Sequence, residues 1–229
     1  MSNIALGYDC EMQSLALELA LLYNLPIDNQ ALPRLHLNSK RLELLIKNFL
    51  PLSVDFEKSF IKSREALKNH ALLKACRPAS NVKILDLTAG WGRDAAILAR
   101  FGAEVLMLER QGVMAALLAD GLKRFDFGGL LQLSYIDAKD YLNNMDDDFD
   151  VIYIDPMHPQ RQKSALVKKD MQALQQLLGA DLDAQELIEL AIKQTKKKVV
   201  VKWPQKLQPL IKPKHSIDGV TVRFDIYIP

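Results

Sequence analysis

The chain has almost no cysteine. Cys10 and Cys76 are the only two in 229 residues, far apart and outside any Cys-x-x-Cys or Cys/His cluster. That excludes a disulfide framework, offers no zinc site, and fits a reducing cytoplasm. Long apolar runs are missing as well. The stretch Leu19 to Ile27 is broken by Tyr23, Asn24 and Pro26, and nothing approaches the roughly 18 to 20 residues that span a bilayer, so no membrane segment is expected. The first residues carry no basic stretch and meet Asp9 and Glu11 too early for a secretory signal. With 10 glycines and 10 prolines the chain is neither collagen-like nor low in complexity, and no internal repeat is visible. What is there, 49% hydrophobic and 25% charged residues, is the composition of a globular protein. Its length suits one large domain or a main domain with a small appendage.

The net charge of +2 is unevenly spread. Residues 1 to 80 carry ten basic and eight acidic residues, residues 81 to 150 seven and twelve, and residues 151 to 229 thirteen and eight. The basic excess of the last third suits an anionic partner such as nucleic acid, although a solvated lysine-rich face explains most single charge runs.

From Asn81 onward, apolar runs of strand length alternate with helical periodicity, the pattern of an α/β domain with a mostly parallel sheet. Strands are predicted at Val82 to Leu87, Glu104 to Leu108, Leu130 to Ser134, Phe149 to Ile154 and Lys198 to Lys202. Helices fit between them at Asp94 to Phe101, Val113 to Arg124, Ala138 to Asn143, Asp170 to Leu178 and Ala184 to Gln194, the last with Asp183 as N-cap. The alternation of Val220, Val222, Phe224, Ile226 and Ile228 predicts a half-buried strand, one arm of a terminal antiparallel pair. Residues 1 to 57 read as a small separate α/β unit: a strand at Ile4 to Gly7, a helix from Glu11 to Tyr23, and extended runs around Arg34 to Leu37, Leu42 to Ile46 and Leu52 to Phe56. Residues 58 to 80 form a helical connector, and residues 81 to 229 the main domain.

The strongest local signal is Leu85-Asp86-Leu87-Thr88-Ala89-Gly90-Trp91-Gly92-Arg93-Asp94, at the end of the first main-domain strand and the start of a helix. In that context a glycine turn lets the backbone approach a nucleotide-like ligand. Gly90, Gly92 and Ala95 also satisfy a loose G-x-G-x-x-G/A dinucleotide pattern. Glu109 ends the second strand nineteen positions after Gly90, where an acid accepts hydrogen bonds from the ribose hydroxyls of NAD or of another adenosine compound. Asp86 and Asp94 favour a cationic ligand, S-adenosylmethionine (SAM), over a pyrophosphate; the bland alternative is that they cap the turn and the helix.

After the fourth strand comes Asp155-Pro156-Met157-His158, similar to the Asp/Asn-Pro-Pro-aromatic motif of amino-group methyltransferases. There the acid oxygen and a backbone carbonyl near the proline accept hydrogen bonds from an exocyclic NH2, and the ring stacks on the base. Such acceptors aim an amine whose lone pair is delocalised. An Asp-Pro pair alone is commonly a turn, but at the sheet's C-terminal edge beside the glycine loop a functional role outweighs that. The run from Gln160 to Lys169 holds four cations, Arg161, Lys163, Lys168 and Lys169, and no acid. Beside a base-binding motif it suits phosphate contacts that hold a nucleic acid in register.

At these residues the chain resembles the bacterial small-subunit ribosomal RNA guanine-N2 methyltransferases, the RsmJ family. The resemblance rests on Thr88 to Ala95, Met107 to Arg110, Ala116 to Leu122, Tyr153 to Met157, Gln162 to Lys169, Val199 to Lys202 and Arg223 to Tyr227. It implies a class I SAM-dependent, Rossmann-like fold and methyl transfer to the exocyclic N2 of one guanosine in small-subunit (16S) ribosomal RNA, with rRNA or the small ribosomal subunit as partner. Carried over by position, the cofactor contacts are Arg93 and Asp94, Glu109 and Arg110, Asp137 and Ala138, and Asp155, joining Asp86, Gly90 and Gly92 from the turn. Asp155, Pro156 and His158 are the candidate catalytic residues. The chain departs from the family pattern in having His158 for Phe, Arg161 for Lys and Trp203 for Arg, and in lacking a basic glycine-rich segment before the main domain.

The chemistry expected is in-line methyl transfer without a metal or a covalent enzyme intermediate, the surplus amine proton leaving to Asp155 or to water. The alternatives are an amino-group methyltransferase acting on another RNA, DNA or a protein glutamine, a nicotinamide-dependent oxidoreductase, and a non-catalytic RNA-binding protein of the same fold.

Overall fold

A computed structural model of the chain describes residues 4–59, 64–146, 148–157 and 181–229. Two compact units emerge. One contains described residues of 4–55 and 111–124 together with Met157 and Asp181; the other lies within Phe56–Arg110, Phe125–Pro156 and Leu182–Pro229.

In the first unit β1 (Ala5–Tyr8) pairs parallel with β2 (Arg34–Leu37), and β2 pairs antiparallel with β3 (Leu42–Leu45). A 3-10 turn at Cys10–Met12 precedes α1 (Gln13–Leu22), so the predicted N-terminal helix begins as a tighter turn. The extended run around Leu52 reduces to a single bridge between Leu44 and Leu52. Leu35, Leu37, Leu42 and Leu44 are buried, the period-2 signature that made β2 and β3 readable. α6 (Gly112–Arg124) belongs to this unit and packs on β3, with seven of its residues buried.

The second unit begins with three short helices, α2 (Phe56–Ser59), α3 (Arg64–Leu67) and α4 (Ala71–Cys76). The single connector helix expected from Lys58 to Cys76 is therefore broken. His70 accounts for the break before α4: it is extended, and its Nδ1 accepts from the Leu72 backbone N–H at 3.3 Å to cap α4.

The second unit's sheet is built from β4 (Lys83–Asp86), β5 (Glu104–Glu109), β6 (Leu131–Tyr135), β7 (Val151–Ile154), β8 (Val199–Pro204), β9 (His215–Asp218) and β10 (Val222–Tyr227). Its helices are α5 (Arg93–Arg100), α7 (Ala138–Asn143) and α8 (Ala184–Gln194). The strand order is β6-β5-β4-β7-β8-β10-β9, parallel from β6 to β8, with β10 antiparallel to both β8 and β9. The alternating strands and helices and the terminal antiparallel pair stand close to their predicted places; the helix predicted at Asp170 to Leu178 lies outside the described residues.

Leu85, Leu108, Ile152, Ile154, Val199 and Val201 form one core cluster with Leu187, Ile188 and Ala191 of α8. Each fully buried Leu or Ile there contributes about 1.5–3 kcal/mol. The last strand differs from expectation. Val220 is 95% exposed ahead of β10, and Phe224, Asp225, Ile226 and Tyr227 are all buried, so this is a strand covered on both faces and not a half-exposed one. The buried Asp225 is compatible with that position because its Oδ1 accepts from Arg223 Nε at 2.8 Å and Ser216 Oγ at 2.6 Å.

β4 lies between β5 and β7, and the chain winds one way to β5 and β6 and the other way to β7 and β8. The crevice at the C-terminal ends of β4 and β7 is thus the topological switch point, where open α/β sheets bind ligands.

Candidate active site

The turn after β4 is strung between its neighbours. Leu87 N donates to Tyr153 O at 3.0 Å, and Ala89 N donates to Leu108 O at 3.2 Å. Gly90 and Gly92 have φ of +53° and +68°, a region costing a residue with a Cβ about 1–2 kcal/mol, so both glycines are required by conformation. A Cβ built on Gly90 would meet only Thr88 O, at 3.8 Å; the space beside the turn is open. Gly92 sits at the N-cap of α5 with no side chain closing the helix end, and Arg93 is exposed in the first turn.

Asp86 caps the turn, its Oδ1 accepting from Thr88 N at 3.0 Å. It is only 2% exposed. Burial, with added repulsion from Asp94, Asp155 and Glu109, pushes its carboxyl up to about 8 against the bond from Thr88. Glu109, also buried, accepts from Gly90 N through Oε2 at 3.2 Å, which ties the second acid to the first glycine. Asp94 does not cap α5. Its Oδ2 accepts from Tyr153 OH at 2.6 Å and from Lys202 Nζ at 2.8 Å. Burial raises its carboxyl, but the Lys202 ammonium and the Tyr153 hydroxyl outweigh that and hold it below the usual carboxylate range.

Asp155 follows β7 directly. Its backbone N donates to Thr88 Oγ1 at 2.7 Å, and its Oδ2 accepts from Lys202 Nζ at 2.7 Å. Burial lowers the affinity of Lys202 for its proton, yet Asp155 and Asp94 together raise it well above the ordinary lysine range. Tyr153 is 1% exposed, and burial and the nearby carboxylates keep its hydroxyl neutral. Thr88, Tyr153 and Lys202 were not singled out as site residues from sequence. Lys202 had a signal, a lone charge following the apolar run Val199-Val200-Val201 of β8. Pro156 is buried, and Met157 N donates to Asp181 Oδ2 at 2.7 Å while Asp181 N donates to Met157 O at 3.0 Å.

A second cluster lies at the ends of β5 and β6. Ile136 N donates to Glu109 O at 3.1 Å, which brings Asp137 beside Arg110. Asp137 caps α7, its Oδ1 accepting from Lys139 N at 2.8 Å, and its Oδ2 lies 3.7 Å from Arg110 Nη1. The side chain of Ala138 packs into the core cluster, leaving its backbone as the group able to touch a ligand. Arg110 grips Asp183 with both nitrogens, at 2.8 and 3.2 Å. Asp183 therefore stands at the start of α8 without capping it, contrary to expectation; the Arg110 guanidinium draws its carboxylate away and, with Lys139, holds its carboxyl down at about 2.

The structure thus brings together Asp86, Gly90, Gly92, Asp94, Glu109 and Asp155, with Arg110, Asp137 and Ala138 in the adjoining cluster. His158, Arg161, Lys163, Lys168 and Lys169 lie outside the described residues. Among the described residues no group of His, Cys, Asp and Glu is arranged to hold a metal ion, and no helix is long and apolar enough to cross a membrane.

A mostly parallel seven-stranded sheet, a glycine turn after its first strand and acids at the following strand ends define a class I SAM-dependent methyltransferase. The family model described as "Putative SAM-dependent methyltransferase" matches residues 18–229. A protein of Legionella pneumophila (strain Lens) named Ribosomal RNA small subunit methyltransferase J is 52% identical over 233 aligned residues, covering 98% of this chain and 96% of that protein. A protein of the same name from Coxiella burnetii (strain Dugway 5J108-111) is 46% identical over 190 residues, covering 78% and 75%. A crystal structure of a SAM-dependent methyltransferase from Neisseria gonorrhoeae shares the fold, with a TM-score of 0.77 at 23% identity, covering 98% and 96%. The chain belongs to the ribosomal RNA small subunit methyltransferase J family and is a SAM-dependent enzyme. The residues present fit that cofactor: an open glycine turn bordered by carboxylates suits an adenosine compound carrying a sulfonium and an ammonium.

Proposed function

We propose that this enzyme transfers the methyl group of SAM to the exocyclic N2 amine of a guanosine in small-subunit (16S) ribosomal RNA, acting in the cytoplasm on the rRNA or the small ribosomal subunit. The relatives' names support the RNA. The observation that carries the chemistry is Asp155, fixed through its backbone by Thr88 and through its carboxylate by Lys202, at the switch point beside the glycine turn.

The methyl-transfer chemistry is assigned to residues 81–229. Asp86, Gly90, Gly92, Arg93, Asp94, Glu109, Arg110, Asp137, Ala138 and Asp155 hold the cofactor, with Glu109 receiving the ribose hydroxyls. When bound, SAM supplies a methyl group on a cationic sulfur that takes up the electron pair of the breaking C–S bond. Asp155 and the backbone carbonyl of Pro156 accept the N–H groups of the target amine and aim its lone pair. An Asp155 already bonded to a lysine ammonium is a weak base, so it orients the amine while the surplus proton passes to water. His158 stacks on the extruded base, and Arg161, Lys163, Lys168 and Lys169 contact phosphates.

The test is transfer of labelled methyl from SAM to small subunits and to naked rRNA from cells lacking the enzyme, followed by nucleoside analysis. N2-methylguanosine in one rRNA fragment is expected. Label in another nucleoside, in DNA or in a glutamine side chain overturns the assignment of substrate. Asp155→Asn is expected to lower kcat at least about 100-fold while the protein stays folded, because one positioned hydrogen-bonding partner commonly contributes that much to a transition state. Unchanged kcat removes Asp155 from the chemistry.

A further inference from the structure

Lys202 touches both carboxylates assigned to the two reactants. Its Nζ lies 2.8 Å from Asp94 Oδ2 on α5 and 2.7 Å from Asp155 Oδ2 after β7. It stands in β8 beside Val201 and Trp203, which turn to the opposite face and join the core cluster with α8. A lysine's four-carbon stem ordinarily carries its charge to water, and drawing the ammonium inward costs energy that a simple packing role would not require. Here it is only 25% exposed, and Tyr153 OH braces the far carboxylate from 2.6 Å.

We propose that Lys202 is a positioning residue: it locks Asp155 and Asp94 in fixed relative geometry, so that target amine and cofactor methyl are aligned, and it keeps Asp155 an acceptor-only carboxylate. This rests on the assignment of Asp155 to the target amine and of Asp94 to the cofactor. An ionised carboxylate only accepts hydrogen bonds, whereas a protonated one presents an O–H to an amine that must itself donate. Without a cation, each of two carboxylates sharing a site disfavours the other's charge and one of them takes up a proton more readily, so the lysine favours the ionised form that the amine must meet. The ionisable groups that act on Asp94 or Asp155 from the surrounding elements include Asp86 on β4, Tyr153 on β7, Cys76 on α4 and His70 ahead of α4. Tyr153 donates to Asp94, while Arg223 and Asp225 on β10 stand opposite Trp203 and Val201 and are engaged with each other.

The experiment measures kcat, the KM for undermethylated rRNA, and the kcat–pH profile of the full-length enzyme, using Lys202→Met, Lys202→Arg and Asp155→Asn. Expected for Lys202→Met is a kcat about 100-fold lower with the RNA KM within about threefold, the pattern of impaired alignment and not of weakened binding. Its acid limb moves to higher pH, because one carboxylate of the uncompensated pair now takes up a proton. Lys202→Arg regains about tenfold over Lys202→Met, with its acid limb where the wild type has it. Wild-type kcat in Lys202→Met, or an unmoved acid limb, overturns the proposal. The two failures are distinguishable: a fully active Asp155→Asn sinks the assignment of Asp155, whereas an inactive Asp155→Asn beside a fully active Lys202→Met sinks only the role of the lysine. Should Lys202→Met fail to fold, Lys202→Arg decides: kcat about tenfold below wild type at unchanged RNA KM supports alignment, and wild-type kcat overturns it.

Discussion

Asp86 offers a quantitative prediction about cofactor binding, because its carboxyl is held neutral in the free enzyme by burial and by three neighbouring acids, with a pKa pushed up to about 8. A cationic cofactor beside it favours the ionised form, so binding releases a proton. With a bound-state pKa well below about 6, linkage makes the apparent SAM affinity rise roughly 25-fold between about pH 6.5 and about pH 8.5. At about pH 7, some 0.9 proton is released per SAM bound. Titration calorimetry in two buffers of different ionisation enthalpy reads the proton count directly. S-adenosylhomocysteine, whose sulfur is uncharged, is expected to show a smaller slope. Asp86→Asn keeps an acceptor for Thr88 N and abolishes the titration, leaving a flat profile at the wild type's low-pH affinity. Folding of the free enzyme runs in the opposite sense. The native pKa lies above the ordinary 3.8, so this group's contribution to stability is fully present below about pH 4 and is lost as pH rises through about 8. Asp86→Asn is therefore expected to unfold at a higher temperature than wild type above about pH 8. A pH-independent SAM affinity with no proton release refutes the reasoning, as does the same slope in Asp86→Asn.

Two further outcomes are expected. Arg223 donates to the buried Asp225 and also through Nη1 to the carbonyls of Pro204, Gln205 and Leu207, so Arg223→Ala strands a carboxylate that is 1% exposed; urea unfolding should show a destabilisation of about 3–5 kcal/mol, and one under about 1 kcal/mol contradicts the role given to the pair. Alanine at each of Arg161, Lys163, Lys168 and Lys169 should weaken rRNA binding and reduce the dependence of log K on log salt by about 0.7–0.9 for each phosphate no longer neutralised, and an unchanged salt slope by filter binding removes that residue from the RNA-binding surface.

The architecture was largely legible in the sequence because parallel strands buried on both faces leave continuous apolar runs, such as Val151–Ile154 and Val199 to Val201, bounded by turn residues. β9 left no such trace. Among the described residues His215–Asp218 pairs only with β10, and it holds one apolar residue, so its strand character comes from its partner and not from its own pattern. β10 misled for the converse reason. The alternation was real, but an Arg223–Asp225 pair allowed the intervening polar positions to be buried as well. The connector was overextended because apolar spacing alone carries no sign of the backbone turn that His70 stabilises. In the site, the strand-end acids Asp86, Glu109 and Asp155 could be found because sequence position fixes which end of a strand a residue occupies. Tyr153 and Lys202 could not be assigned that way. A tyrosine inside an apolar strand reads as core, and the meeting of β8 with the N-terminal turn of α5 joins residues 108 positions apart.

The clustered acids are made tolerable in three different ways, and the difference decides which of them a ligand can act upon. Asp94 and Asp155 are compensated by a permanent cation within 2.8 Å, so they stay ionised whether or not the site is filled. Glu109 accepts a fixed backbone N–H from the glycine turn, a partner that moves only if the turn does. Asp86 is compensated chiefly by a proton, which is exchangeable. A cation entering the crevice can displace that proton but cannot displace Lys202 without breaking the geometry on which Asp155 depends. Cofactor charge is therefore read at Asp86 and amine geometry at Asp155, and the two functions are separable by mutation. Asp86→Asn should alter the pH dependence of SAM affinity with little effect on the alignment step, whereas Lys202→Met should do the reverse. A double variant whose losses in kcat/KM simply multiply is the expected result, since the two effects act on different steps; strong non-additivity would mean that the four acids titrate as one unit and that no single residue reads the cofactor's charge.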